Sequence, residues 1–257
     1  MDFLNSIPHW ILTGYTFILG LITGSFLNLC IHRLPREESV VIPRSHCPSC
    51  KNTISAKDNI PIVSYLLLKR KCRHCGQSIS WVYPAVEVIT AFLLTVVFLK
   101  FGTTLQSGIY GITISALVVI TVIDLKHQII PDCITLPGIA FGFAAGTNFN
   151  GFLESFSGFL LGGGLFYILA LVSKGGMGGG DIKFIAGLGA LLGWQKILLV
   201  IFLAAFLGTI YSLPLLLVGK KGRKSLIPFG PFISAATGIA IFIGRDLIIV
   251  YIQYMNR

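Results

Sequence analysis

Charge is what this chain has least of: Asp, Glu, Lys and Arg make up 12% of its 257 residues, against roughly 25% in an average soluble domain. Acids are the scarcer sign, ten against twenty Lys and Arg, for a net charge of +10. So small a charged fraction excludes an ordinary water-soluble domain of this length. There is no low-complexity tail, and no internal repeat stands out. A nucleotide-binding P-loop is missing too. The one glycine-rich run, GGMGGGD (Gly175–Asp181), has an aspartate where GxxxxGK[ST] requires lysine. No Lys or Arg precedes the first apolar block and no small-residue cleavage pattern follows it, so that block is expected to stay as a membrane span rather than leave as a signal.

What is abundant is apolar sequence, 54% of the chain, with a mean hydropathy of +0.83. Several blocks approach the roughly 20 residues that carry a helix across a bilayer. Eight spans are expected, at about Trp10–Ile31, Val82–Phe101, Ile109–Ile123, Cys133–Thr147, Phe152–Val172, Ile182–Gly193, Ile197–Val218 and Phe232–Tyr251. The expected fold is an all-α polytopic membrane protein of about eight transmembrane helices. The long polar segment Arg33–Trp81 lies between the first two and holds nine Lys and Arg. Cytoplasmic loops collect such residues. Placing that segment in the cytoplasm puts sixteen of the twenty basic residues on one side, Lys126, Lys174, Lys183 and the KKGRK run (220–224) included, and both termini on the other. Basic loops beside anionic headgroups account for the net charge, so the lipid bilayer is the implied partner and no nucleic acid is called for.

The block Ile182–Gly193 strains the scheme. Twelve residues of helix span about 18 Å, short of a core roughly 30 Å thick. Either the glycine run adds a turn, or the helix starts partway into the membrane beside a watery cavity.

With ten acids, each can be weighed. Asp2, Glu37, Glu38 and Asp58 stand in polar surroundings and Asp246 near a span end, while Glu154 opens an apolar block where a helix dipole favours it. Glu87, Asp124, Asp132 and Asp181 remain. Asp132 follows Pro131 and reads as a helix cap. Asp124 ends the run ALVVITVID, at a helix C-terminus where a cap reading fails; a salt bridge to Lys126 or His127 is its other explanation. Asp181 is either an N-cap or a functional carboxylate. In the orientation above, Asp124 and Asp181 come to the same depth on the cytoplasmic side, and ionisable groups there are functional candidates. Two neighbouring carboxyls share a proton. The ionised one can deprotonate water while the protonated one polarises a carbonyl, so the pair cleaves peptide bonds without a metal. Glycines before Asp181 would let a substrate backbone come close.

The polar segment holds CPSC (Cys47, Cys50) and CRHC (Cys72, Cys75). Paired CxxC motifs at this spacing are the pattern of a structural four-thiolate zinc site, closed to catalysis. His46 and His74 are surplus to a full set, and Pro48 and Gly76 suit the turns. Cys30 and Cys133 read as small packing residues.

Several motifs taken together resemble one family. GMGGGD, with Gly178, Gly179, Gly180 and Asp181, is similar to the GxGD signature of intramembrane aspartyl proteases. Asp124 in DLKHQIIPD resembles the partner aspartate of the type IV prepilin leader peptidase/N-methyltransferase family. GSFLNLCIHRLP (Gly24–Pro35), the CxxC pairs, NIPIVSYLLLKRKC, YPAVE and IPFGPF (Ile227–Phe232) resemble that family in the same order. The resemblance implies a membrane endopeptidase that removes a basic leader from prepilins or pseudopilins after a glycine, on the cytoplasmic side of a bacterial inner membrane, for a type IV pilus or type II secretion system. It also implies methylation of the new N-terminus with S-adenosylmethionine. Asp124 and Asp181 become the catalytic pair, and Cys47, Cys50, Cys72 and Cys75 the zinc ligands. For the methyl donor the resemblance points only to regions, Gly24–Pro35, the cysteine segment and Glu87, and assigns no binding residues. Three parts follow: 1–32 as first span, 33–81 as zinc module linked to methyl transfer, and 82–257 as peptidase. A peptidase lacking methyl transfer, an ion-coupled transporter using the two aspartates, and a non-enzymatic zinc-stapled scaffold are the alternatives. Incubation with a synthetic prepilin, with and without the methyl donor, separates them. Oligomeric state is not read.

Overall fold

A computed structural model describes residues 8–173, 177–217 and 227–255. Among them are nine α-helices: α1 His9–Arg33, α2 Val63–Leu67, α3 Val82–Phe101, α4 Leu105–His127, α5 Asp132–Asn150, α6 Phe152–Val172, α7 Gly179–Leu192, α8 Trp194–Leu217 and α9 Gly230–Met255. Extended pairing among the described residues is limited to two isolated bridges, His46 with Thr53 and Lys71 with Ser78. Each expected span is present as a helix, and Val82–Phe101 and Phe152–Val172 keep their bounds. The other six start earlier, and four of them, α1, α4, α5 and α9, also end later, because polar first and last turns still close helical hydrogen bonds. Glycines at positive φ stop three of them: Gly102 after α3, Gly151 after α5 and Gly193 after α7.

Six of these helices, α1, α3, α4, α6, α8 and α9, are long and apolar enough to cross a membrane. The expected count of eight is not reached by length and composition. α5 is diluted by Asp132, Pro137 and three residues of amide or hydroxyl type near its end. α7 has 14 residues, about 21 Å of helix. It begins at Gly179, so the glycine run does supply its first residues. Gly175 and Gly176 of that run, and the KKGRK loop, lie outside the described residues.

Two compact units divide within α4, one ending at Val119 and the other starting at Ile120. In the first, α1 packs along α3 through small residues: Gly20 lies against Ala91 and Gly24 against the backbone of Glu87. The polar segment Leu34–Trp81 follows α1 and is folded by backbone turns and 3-10 helices at Leu34–Arg36 and Ala56–Asn59. In the second unit, α7 is central. Every residue from Phe184 to Leu192 is buried. Its glycines meet small residues on both neighbours, Gly187 against Gly142 of α5 and Gly189 against Gly158 of α6, so the backbones touch. A short helix enclosed this way can keep polar groups at its N-terminus without exposing them to lipid.

Candidate functional site

The four cysteines come together. The Sγ atoms of Cys47, Cys50, Cys72 and Cys75 all lie within 4.8 Å of one another. Tetrahedral Zn–S bonds of about 2.3 Å set Sγ–Sγ near about 3.8 Å, and Cys47 to Cys75 is 3.9 Å. The donor set and spacing therefore fit a closed structural metal site. Each pair sits in the same turn. Cys47 N–H donates to Asn52 O and Cys72 N–H to Gln77 O, while Lys51 and Gly76 N–H donate back to the Cys47 and Cys72 carbonyls. The residue after each second cysteine is left-handed, Lys51 at φ 60° and Gly76 at φ 71°. This is a repeat that the sequence reading missed: HCPSCKNTIS and KCRHCGQSIS (46–55 and 71–80) align residue for residue at Cys, Cys, Ile and Ser. The Cys50 and Ser49 N–H groups hold the Cys47 thiol down to about 6, against burial that pushes it up, so it is ready to bind metal as thiolate.

Around this site the segment is tied by two arginines. Arg33, 3% exposed, donates to the carbonyls of Ser39, Pro43 and Arg44. Arg73 grips Asp58 through two hydrogen bonds of 2.8 and 2.6 Å and holds its carboxyl at about 2. Asp58 is thus ion-paired, not merely solvated. Cys30 is buried as expected, but Cys133, the second residue of α5, is exposed.

A cavity of about 420 Å³ lies beside the cysteine site, lined by residues of α1, the polar segment and α3. Glu87 forms part of its wall and is 7% exposed. Its Oε2 accepts the Ile62 N–H at 2.8 Å and the Ser25 hydroxyl also reaches it. Ile62 has φ 61°, an expensive conformation for a β-branched residue. Pro61 was the available sign of a turn there; Ile62 itself went unnoticed. The volume falls in the roughly 300–1,000 Å³ range of small-molecule sites, and a carboxylate, an amide and two tyrosines stand in the wall.

The second unit assembles the carboxylates. Asp124, 5% exposed, accepts the Gly230 N–H at 2.8 Å. No ion pair to Lys126 or His127 forms; a tertiary partner 106 residues away takes its place. Gly230 opens α9, so the aspartate answers one of that helix's unpaired first N–H groups. A Cβ at Gly230 would stand 2.8 Å from Asp124 Oδ2, which explains the glycine in IPFGPF. That partnership had only the motif as its sign.

Asp181 lies in the first turn of α7, where Gly178 occupies the cap position, so the N-cap reading does not hold. It is half-buried, and its charge interacts with that of Asp124. Gly180 explains how they meet: a Cβ there would fall 2.9 Å from both Ile130 Cβ and O. The close approach that this glycine permits here is by the chain's own α4–α5 link. Asp132 is no side-chain cap either; its carboxylate takes Lys183 Nζ at 2.7–2.8 Å, tying α5 to α7. Glu154, in the first turn of α6, accepts the Trp194 indole N–H at 3.2 Å.

A helical membrane protein with four cysteines clustered at metal-binding distance in one unit and the carboxylates Asp124 and Asp181 in the other is the class these features define. Family profiles agree: the bacterial peptidase A24 N-terminal domain matches residues 18–101, and the type IV leader peptidase family matches residues 111–213. The chain is 36% identical over 243 residues to the prepilin leader peptidase/N-methyltransferase of Bacillus subtilis (strain 168), covering 92% of this chain and 96% of that one. It is 35% identical over 286 residues to the protein of that name from Pseudomonas aeruginosa, covering 99% and 98%. For the Aeromonas hydrophila protein the identity is 34% over 284 residues, with 96% of each covered. No solved structure matches this chain. The chain belongs to the type IV leader peptidase family.

Proposed function

We propose that this protein is a membrane endopeptidase that cuts the basic leader from prepilins or pseudopilins after a glycine and then methylates the new N-terminal amine. The observation that carries the cleavage reading is the placing of two acids in one unit: Asp124 near the end of α4, fixed by the Gly230 N–H, and Asp181 in the first turn of α7, whose neighbour Gly180 packs on Ile130 just after α4. Such a pair retains one proton between them. The ionised carboxylate takes a proton from water as its oxygen attacks the scissile carbonyl. The protonated carboxyl hydrogen-bonds the carbonyl oxygen, and a proton passes to the leaving amine as the C–N bond breaks. Gly230 N–H fixes one Asp124 oxygen, Oδ2. The apolar helix of the substrate, held among membrane spans, would orient the bond at the pair.

The surrounding organisation is proposed as eight membrane passes, α5 and the short α7 included, with the active site near the cytoplasmic face of a bacterial inner membrane. Residues 1–32 form the first span, 33–81 the zinc module that serves methyl transfer, and 82–257 the peptidase. Zn²⁺ on Cys47, Cys50, Cys72 and Cys75 supplies a cross-link between the two cysteine turns, in a segment with few buried apolar residues of its own. S-adenosylmethionine supplies the methyl group. Pilus or type II secretion subunits are the substrates this reading expects.

The test is direct. Purified protein and a synthetic prepilin, with and without S-adenosylmethionine, should give product masses showing loss of the leader, and loss of the leader plus one methyl group. Uncut substrate sinks the peptidase reading; cut but never methylated product leaves a peptidase alone.

A further inference from the structure

We infer that the cavity lined by Glu87 is the methyl-donor site, and that Glu87 selects its ligand by charge, favouring the sulfonium form over the neutral thioether left after transfer. This rests on the methyltransferase reading above and adds to it a location and a means of discrimination.

Glu87 is a buried carboxylate that forms no salt bridge among the described residues. Its partners are the Ile62 N–H and the Ser25 hydroxyl. The two arginines on the same cavity wall are occupied, Arg33 by three backbone carbonyls and Arg73 by Asp58. An unpaired buried charge is costly, and a cationic ligand removes that cost. The hydrogen bonds fix the carboxylate in place, and the Ile62 donor is held in a strained conformation, as functional sites often are. Tyr65 and Tyr83 also line the cavity, giving flat apolar faces for a purine. Asn28 donates to the Tyr83 carbonyl at 2.9 Å and so braces α1 against α3 at this point.

S-adenosylmethionine carries a fixed positive charge at sulfur. When the methyl carbon moves, the S–C bond breaks with its electron pair going to sulfur. The amine nitrogen forms the new bond and takes the positive charge, and its proton is then released to solvent. The donor is left neutral at sulfur. A nearby carboxylate therefore binds the incoming donor and loses its hold on the spent one.

Equilibrium dialysis of the purified full-length protein in detergent tests this, with S-adenosylmethionine and S-adenosylhomocysteine as probes. Glu87→Gln keeps an acceptor for Ile62 and removes the charge. It should lower the ratio of the two dissociation constants (homocysteine over methionine form) by about tenfold or more, while Glu87→Asp keeps most of it. Zinc content and thermal midpoint report whether each variant is folded. An unchanged ratio in folded Glu87→Gln overturns the inference and leaves the methyltransferase reading intact. A wild-type protein that neither binds nor uses the donor overturns both. Independently of any variant, ultraviolet cross-linking of labelled donor to wild type should mark peptides containing Tyr65 or Tyr83, and labelling confined to other regions overturns the location.

Discussion

Gly230→Ala gives the sharpest test of how Asp124, one of the proposed peptidase pair, is held. The added methyl carbon would sit 2.8 Å from Asp124 Oδ2 and 3.3 Å from its Cβ and Cγ. Ordinary carbon–oxygen contact begins near 3.4 Å, so the carboxylate must retreat by about 0.6 Å, stretching the 2.8 Å bond from Gly230 N–H as it goes. Misplacement of a catalytic group by about 1 Å costs about 100-fold. Scaled to this shift, kcat/KM for leader cleavage should fall about 10- to 30-fold, or about 1.4–2 kcal/mol of transition-state stabilisation. The assay is initial-rate cleavage of a synthetic prepilin, read by mass, with zinc content and thermal midpoint as controls for folding. A relocated carboxylate that still ionises should lower kcat more than it raises KM, because the substrate helix binds elsewhere. Wild-type kcat/KM in a folded Gly230→Ala protein would refute the argument that this N–H and this glycine position Asp124.

Three further outcomes follow from the same geometry. Asp124→Asn and Asp181→Asn should each abolish cleavage at any substrate concentration while leaving bound zinc unchanged, and residual cleavage near wild type in either removes that residue from the pair. Cys72→Ser should reduce bound zinc from one equivalent to well below it and loosen the segment between α1 and α3, seen as faster proteolysis there; full zinc occupancy in that variant would contradict a four-thiolate site. Cysteine labelling from outside intact cells should fail at Lys51 and within 220–224 alike, since the charge count puts both on the cytoplasmic side, and labelling of either one overturns the orientation.

How much of this was legible in the sequence depended on how local the signal was. The cysteine cluster was readable because CxxC fixes its own geometry and two copies at zinc-site spacing have few other uses. The helices were readable because lipid demands long apolar runs, and the charge deficit made the acids few enough to weigh one by one. What escaped was set by contacts far apart in sequence. Nothing near Asp124 announces Gly230, 106 positions on, and the salt bridge that local reasoning offered for Asp124 does not form. Gly180 was noticed for the right reason, absence of a Cβ, but the neighbour that needs the space is Ile130, which only the packing of α7 against the α4–α5 link reveals. The repeated cysteine turn was visible in the residues and was passed over because it is short and only partly identical.

The two buried carboxylates share one device. Asp124 and Glu87 are each fixed by a single backbone N–H from a distant segment, Gly230 in one case and Ile62 in the other. In each case the donor residue is the unusual one: Gly230 must lack a Cβ to come close, and Ile62 must adopt a positive φ. A backbone donor carries no net charge, so it orients the carboxylate without neutralising it, whereas a lysine or arginine would do both. Neither acid has a salt bridge among the described residues, and the ion pairs found there, Arg73 with Asp58 and Lys183 with Asp132, involve other carboxylates. A side chain kept only for stability gains nothing from burial as an unpaired acid. A side chain that must exchange a proton, or meet a cationic ligand, needs this combination of fixed position and unspent charge. Replacing Asp124 by Asn and Glu87 by Gln should therefore raise the thermal midpoint of the metal-loaded protein or leave it unchanged, even as cleavage and donor selection are lost. A clear fall in the midpoint for both would show that the two acids are retained for folding.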